Sequence, residues 1–128
     1  MCTISQMRLG YFTFPVHPKK KPLKICYKED QDAIILGELN GFNEAFVGEH
    51  CTDEYERITS SLLFIATLID KTSKIRLGTG TINLPNTHPV TVANNFAMID
   101  HMSNGRLILG IGPGSLVSDM EAYGNLEK

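Results

Sequence analysis

Short apolar runs alternate with longer stretches of mixed polarity along the chain, an order typical of proteins in which strands and helices follow one another. Four of these runs predict strands, over residues 7–14, 44–49, 75–80 and 107–111. The last run, Leu107-Ile108-Leu109-Gly110-Ile111, contains no polar side chain and predicts a strand that is buried on both faces.

Two of the stretches between the strands have clear helical features. The first spans residues 26–40, and Gly37 within it would let the helix approach a sheet closely. The second is capped by Ser60 or Ser61 and extends to Ile69, with apolar residues at the spacing i, i+3, i+4 and i+7. This spacing predicts one helix with a continuous apolar stripe.

A third helix begins near Pro89, so each strand is joined to the next by a helical stretch, which predicts a parallel sheet built of βαβ units. The polar segment 118–128 predicts a loop or the start of another helix. A sheet of this kind fits either a small doubly wound domain or half of a (β/α)8 barrel. A whole barrel takes about 250 residues, and the chain has 128. The pattern alone leaves both architectures open.

Composition and charge narrow the class of protein. Hydrophobic residues make up 42% of the chain and charged residues 20%, the balance of a soluble globular domain. The net charge of −2 offers no electrostatic basis for binding nucleic acid or an anionic membrane. No apolar run reaches the roughly 18 residues of a membrane span and no secretory signal is visible. The three cysteines form no C-x-x-C pair, so we expect a cytoplasmic protein with reduced thiols.

In both candidate architectures, ligands bind beyond the carboxyl ends of the strands. The residues that follow the second, third and fourth predicted strands are Glu49, His50 and Cys51, then Gly80 and Thr81, then Gly112 and Pro113. We therefore expect these residues on one face of the molecule. His101 closes a helix and Arg106 opens a strand, which assigns both to the opposite, stabilising face.

His50 is the residue in this set with the most versatile chemistry. It fits a general base at a strand end, and it fits equally a histidine that only hydrogen-bonds a loop carbonyl. Cys51 is interpreted as an inert thiol, and His17 and His88 as loop residues. No pair of histidines has the spacing of a metal site. The glycines around Pro113 lack the G-x-G-x-x-G spacing of a dinucleotide fingerprint.

Several blocks, taken in order, resemble the N-terminal half of the bacterial luciferase-like monooxygenases, and within them the limonene and alkanal monooxygenase type. The blocks are 41–50, 75–80, Leu84-Pro85, His88-Pro89, Val92-Ala93, 100–106, 110–114 and Asp119. Light-emitting members have a cysteine and an arginine where this chain has Gly112 and Pro113, which argues against bioluminescence. Many members have a second histidine where this chain has Cys51.

This resemblance implies an α/β fold, the N-terminal half of a (β/α)8 barrel with about four parallel strands and three to four helices. Residues 1–128 would then be a partial barrel domain that stops after the fourth strand. The family uses reduced FMN, supplied by a separate reductase, and O2 to oxygenate a small hydrophobic substrate. A related group uses a deazaflavin instead, and this alternative stays open.

The resemblance also assigns roles to individual residues. His50 matches the catalytic histidine, which stabilises or deprotonates the reacting oxygen species. The matching flavin contacts are Glu49, Gly80, Thr81, Gly112 and Pro113, and the peptide between Gly80 and Thr81 is expected to be cis. The flavin phosphate is held mainly by later strands of the family's barrel. The chain is therefore expected to pair with a complementary C-terminal half or to form a homo-oligomer, or else to be a non-catalytic remnant that binds flavin or a partner chain.

Overall fold

The computed structural model describes residues 7–126, and these contain six short strands. They are β1 (Gly10–Thr13), β2 (Glu44–Val47), β3 (Arg76–Thr79), β4 (Ile82–Asn83), β5 (Leu107–Ile108) and β6 (Ile111–Gly112). Four of them form one parallel sheet in the order β1-β2-β3-β5, and β4 pairs with β6 in a second, two-stranded parallel sheet. The predicted parallel sheet is therefore confirmed.

Helices connect the strands of the main sheet, as βαβ units require. They are α1 (Leu23–Leu39), α2 (Ser61–Ala66), α3 (Pro89–Met102) and α4 (Val117–Ala122). The first three join β1 to β2, β2 to β3 and the β3–β4 segment to β5, while α4 follows β6. No helix within residues 7–126 is long and apolar enough to cross a membrane.

The hydrophobic core lies between one face of the main sheet and the helices. Side chains alternate between the two faces of a strand, and Ala45, Val47 and Leu77 on the helical face are fully buried. They meet Ile34 of α1 and Ile65 of α2, which are also fully buried. Burying a side chain of this size stabilises a fold by roughly 1.5–3 kcal/mol, so this layer fixes how the helices lie on the sheet.

Two helix boundaries differ from prediction for local reasons. The first helix begins at Leu23 rather than residue 26, directly after Pro22, whose fixed φ suits a helix start. The second ends at Ala66, because the Thr67 hydroxyl donates to the Phe64 carbonyl and competes with helix continuation. A separate 3₁₀ turn, Ile69–Lys71, follows it. The segment 118–128 does contain a helix start, in α4.

The expected close approach of Gly37 to a sheet is wrong. A Cβ placed on Gly37 would lie 3.8 Å from the Cβ of Phe42, an ordinary contact, so the position does not require glycine for space.

The first and fourth predicted strands are shorter than the sequence pattern indicates. The first spans Gly10–Thr13 rather than residues 7–14. The fourth divides into β5 and β6, and the prediction of burial on both faces is wrong, because Leu109 and Ile111 are exposed. Its division has a physical cause at Thr79, whose hydroxyl donates to the Gly110 carbonyl (2.8 Å) and accepts from the Gly110 amide (2.9 Å). These side-chain bonds take the place of the strand ladder at Gly110.

Arg106 lies at the edge of the sheet where β3 and β5 begin, which is the stabilising face predicted for it. Its guanidinium donates to the carbonyl oxygens of Ser103 (2.9 Å), Ile75 (3.1 Å) and Ile69 (2.9 Å), and to the hydroxyl of Thr72 (2.9 Å). One planar group therefore links the end of α3 to the segment between α2 and β3. An ammonium group has no fork of donors and cannot reproduce this set.

We expect Arg106→Lys to lower the free energy of unfolding by about 2–3 kcal/mol, because several hydrogen bonds to a charged donor are lost. The matched control is Arg76→Lys, since Arg76 also stands where a strand begins, but its side chain is 44% exposed and its one ion-pair partner among residues 7–126 is Glu44. That change should cost less than about 0.5 kcal/mol. Urea unfolding of both variants measures the difference, and equal losses would contradict the role given to Arg106.

Candidate active site

The residues that follow the strands come together around one open cleft of about 450 Å³ at the carboxyl edge of the sheet. Its lining consists of Phe14, Glu49, His50, Gly80, Thr81, Asn83, Ile111, Gly112, Pro113, Gly114 and Ser115. All six residues predicted from the sequence to contact cofactor or substrate are in this set. The fold therefore brings all six to one location.

His50 is held at the cleft by contacts on both sides of its ring. Its Nδ1 lies 3.2 Å from Asp119 Oδ2, and its Nε2 lies 3.3 Å from Glu56 Oε2. The ring stacks on Phe14 with the centroids 5.4 Å apart. The backbone N–H of His50 donates to the Ile58 carbonyl at 3.0 Å. The side chain is therefore fixed between two carboxylates rather than bonded to a loop carbonyl.

Glu49 uses its carboxylate to organise the protein around the cleft. Oε2 accepts from the amide and the hydroxyl of Ser61, at 2.9 and 2.7 Å. Oε1 accepts from the amide of Asn83 at 3.2 Å. Both Glu49 and Asn83 line the cleft. Through these bonds Glu49 joins the end of β2 to the first turn of α2 and to β4. Its negative charge at the start of α2 is favourable in addition.

Gly112 lets the backbone of β6 pass directly against Thr81. A Cβ on Gly112 would lie 2.6 Å from Thr81 Oγ1, closer than real Cβ contacts. The pairing of β4 with β6 sets this register, with Asn83 opposite Gly112. The peptide bond between Gly80 and Thr81 is cis, as the resemblance implied. One wall of the cleft is thus backbone with no side chain projecting from Gly112.

Asp119 is a site residue to which the sequence pattern gives no role. It lies in α4, is 3% exposed, and reaches the loop of residues 50–52. Burial would raise the pKa of Asp119, but hydrogen bonds from Thr52, His50 and Cys51 outweigh it and hold the pKa below its usual range. The only available signal was its membership in the resemblance blocks, because periodicity cannot relate residue 119 to residue 50.

The other histidines lie away from this cleft. His17 is in a loop, as predicted, but it is only 2% exposed, with its Nε2 2.8 Å from Asp30 Oδ2. Burial raises the pKa of Asp30, and the contact with His17 opposes that shift. His88 caps α3, its Nδ1 accepting from the amide of Val90 at 3.3 Å. His101 is exposed at the end of α3.

The family model for luciferase-like monooxygenases matches residues 7–128, nearly the whole chain. The chain belongs to this family. The fold prediction is also confirmed, since the similar solved structures include luciferase-like barrel monooxygenases.

Curated relatives in this family include both monooxygenases and a reductase. The 4-hydroxyprotoasukamycin monooxygenase of Streptomyces nodosus subsp. asukaensis is 37% identical over 121 residues, which are 94% of this chain and 33% of that protein. Limonene 1,2-monooxygenase of Rhodococcus erythropolis is 34% identical over 90% of this chain and 30% of its own length. The 5,10-methylenetetrahydromethanopterin reductase of Methanopyrus kandleri is 38% identical over 80% of this chain and 27% of its own. The chain spans about a third of the length of these relatives.

Two solved structures share this fold closely. The oxygenating constituent of 3,6-diketocamphane monooxygenase from Pseudomonas putida, solved with FMN, superposes with a TM-score of 0.88 at 22% identity. The superposition covers 92% of this chain and 32% of that protein. Monooxygenase RslO1 of Streptomyces bottropensis gives a TM-score of 0.86 at 31% identity, over 92% of this chain and 36% of its own.

The position of Phe14 against His50 depends on the glycine at residue 48. A Cβ on Gly48 would lie 2.0 Å from Cε1 of Phe14, so any side chain there displaces the ring. Gly48 itself is buried and its amide donates to the Thr13 carbonyl at 2.9 Å. Because this hydrogen bond holds the backbone in place, the aromatic ring must move instead.

We expect Gly48→Ala to lower the free energy of unfolding by about 1–3 kcal/mol, the usual cost of overpacking, and to shift the NMR signals of the His50 ring as Phe14 moves. Gly37→Ala is the matched control, because it adds the same methyl group at a position with space for it and replaces a glycine inside a helix. It should raise stability by up to about 1 kcal/mol. Unchanged His50 signals in a folded Gly48→Ala protein would contradict this account of Phe14.

Proposed function

We propose that this chain forms the flavin-ring site and the catalytic-histidine part of an FMN-dependent monooxygenase, which uses reduced FMN and O2 to oxygenate a small hydrophobic substrate. The observation that carries this proposal is the cleft in which His50 shares one space with Gly80, Thr81, Gly112 and Pro113. Family membership supports the reaction class. The finer choice of cofactor and substrate is proposed from the chemistry of the cleft.

The lining of the cleft fits a flat aromatic ring system. Its volume of about 450 Å³ lies in the range of small-molecule sites, roughly 300–1,000 Å³. Phe14, Ile111 and Pro113 give it apolar surface, and the bare backbone at Gly112 offers a wall without projecting side chains. The residues that would hold the ring are those beside Thr81 and Gly112. Reduced FMN, when bound, supplies the two electrons that reduce O2.

His50 would hold or move a proton at the reacting end of the cleft. An imidazole changes charge near neutral pH, which suits a general acid or base in a positioned proton transfer. The His50 side chain is 18% exposed, so it is accessible from the cleft yet largely screened from bulk water. Phe14 stacked on the ring limits its rotation.

The lining provides no positive charge for a phosphate. Neither lysine nor arginine lines the cleft among the residues described, whereas phosphate groups are normally met by Arg, Lys or a helix amino terminus. Under the proposal, the FMN phosphate is therefore bound by residues outside this lining, on a complementary C-terminal segment or a second copy of the chain. The reduced flavin would come from a separate reductase.

A deazaflavin-dependent oxidoreductase is the second candidate. The observation that favours it is the 38% identity to the Methanopyrus kandleri reductase. A solved tetrahydromethanopterin reductase from the same organism, described as dependent on coenzyme F420, also superposes with a TM-score of 0.69 at 31% identity. A chain that retains only flavin binding or pairing with a partner, without catalysis, is the third candidate.

We expect the isolated chain to bind riboflavin and FMN with dissociation constants within about 3-fold of each other, because the phosphate meets no cation in this cleft. Thr81→Trp should block the ring site and raise both constants, while Thr91→Trp, at an exposed position on α3, should change neither. Flavin fluorescence titration measures this. Tighter binding of a deazaflavin than of FMN would favour the second candidate, and no binding of any flavin would count against a ring site.

The reaction is tested in a protein as long as the relatives, made by fusing this chain to the C-terminal residues of a close relative. In that protein His50→Ala should lower oxygenation of a hydrophobic substrate by roughly 10²–10⁴-fold, the usual range for a positioned acid or base, with little change in flavin affinity. His101→Ala is the control, because that histidine lies on the opposite face. Unchanged turnover in His50→Ala would remove the catalytic role of the histidine and leave the third candidate.

A further inference from the structure

Asp119 is bound to the His50 loop through both of its carboxylate oxygens. Oδ1 accepts from the Thr52 amide at 2.8 Å, and the Thr52 hydroxyl lies 2.7 Å from the same oxygen. The Cys51 amide donates to both oxygens, at 3.1 and 3.2 Å. The remaining contact of Oδ2 is His50 Nδ1, at 3.2 Å. A side chain from α4 thus anchors a loop that lies 67 to 69 residues away in sequence.

We propose that Asp119 is the positioning residue for His50, holding a proton on Nδ1 so that Nε2 is the nitrogen that acts in the cleft. This inference rests on the proposed function, in which His50 is the proton-transfer residue. An ionised carboxylate can only accept hydrogen bonds, and each ring nitrogen faces one, Asp119 at Nδ1 and Glu56 at Nε2. A neutral ring carries a single hydrogen, and Asp119 retains it on Nδ1 because it is the more firmly held carboxylate. The neutral ring then has its lone pair on Nε2, as in other carboxylate–histidine pairs.

The two carboxylates beside His50 are not equivalent. The Asp119 side chain is 5% exposed and is held by the Thr52 and Cys51 donors described above. The Glu56 side chain, 3.3 Å from Nε2, is 31% exposed. Nδ1 therefore faces a fixed, buried partner, and Nε2 faces a partner that water or a ligand can replace. This asymmetry selects Nε2 as the working nitrogen.

Nitrogen-15 NMR of the chain labelled in its histidines tests the tautomer directly. At about pH 8, where an ordinary imidazole is neutral, we expect the His50 signals of the hydrogen-on-Nδ1 form. Asp119→Asn should shift His50 toward the hydrogen-on-Nε2 form, because the amide oxygen keeps the Thr52 donors only when the NH2 group faces Nδ1, and Nδ1 must then accept a hydrogen bond. Glu56→Gln should leave the Nδ1 form in place.

Asp53→Asn is the matched control, because it removes the same charge from the same loop without touching His50. Asp53 accepts from the amides of Tyr55 and Glu56, both at 2.7 Å. Its own low pKa results from these two bonds. A general loosening of the loop would move His50 in both variants, whereas a positioning role for Asp119 moves it only in Asp119→Asn.

In the fusion protein, Asp119→Asn should lower kcat by more than about 10-fold with flavin affinity unchanged. The hydrogen-on-Nε2 form in the unmodified chain, or an unaltered His50 tautomer in folded Asp119→Asn, would overturn the inference. The first of these readings needs no variant, so it stands even if Asp119→Asn fails to fold. If the tautomer changes as expected but His50→Ala keeps full turnover, the proposed function fails and the positioning of His50 by Asp119 still holds.

Discussion

The common end-point of the parallel strands is the constraint on which the rest of this structure depends. The register pairs Thr13 with Val47 and Val47 with Thr79, so β1, β2 and β3 all stop at the same level. Parallel strands in register present their carboxyl ends at one edge. The segments that leave these strands therefore start side by side, and Phe14, His50 and Thr81 meet although they are far apart in sequence.

The shape of the cleft beyond that edge depends on where the hydrogen-bond ladder between β3 and β5 stops. The Thr79 hydroxyl occupies both backbone groups of Gly110, and the Gly110 carbonyl also accepts from the Ile82 amide at 2.9 Å. The chain then forms a second, separate pair, β4 with β6, one residue past this junction. The break brings Thr81 against Gly112 and makes the backbone wall of the cleft. A continuous fourth strand would have carried its hydrogen bonds past this point and left no such wall.

The amino-acid sequence was sufficient for the features that depend on local pattern and chain order. Strand positions follow from apolar runs, and the place of Glu49 and Gly80 follows from their position just after a strand. The boundaries were less predictable, because single side-chain bonds such as Thr67 to Phe64 decide them. The hydrogen-bond partners of Glu49 and Asp119 could not be predicted from the sequence pattern, since they lie 12 to 69 residues away and only the folded topology brings them together.

Two buried or half-buried carboxylates, Glu49 in the lining of the cleft and Asp119 bonded to His50, remain compatible with an apolar ligand because hydrogen bonds within the protein satisfy them. An unpaired buried charge is costly, but Glu49 is bonded to Ser61 and Asn83, and Asp119 to the loop of residues 50–52. Their charge is committed to donors of the protein itself. What then faces a ligand is the His50 ring, the aromatic side chain of Phe14 and the backbone at Gly112. The carboxylates build the site, and the surface left for a ligand suits a flat, uncharged ring better than an anion. For this reason the phosphate of a bound flavin would have to lie away from these residues.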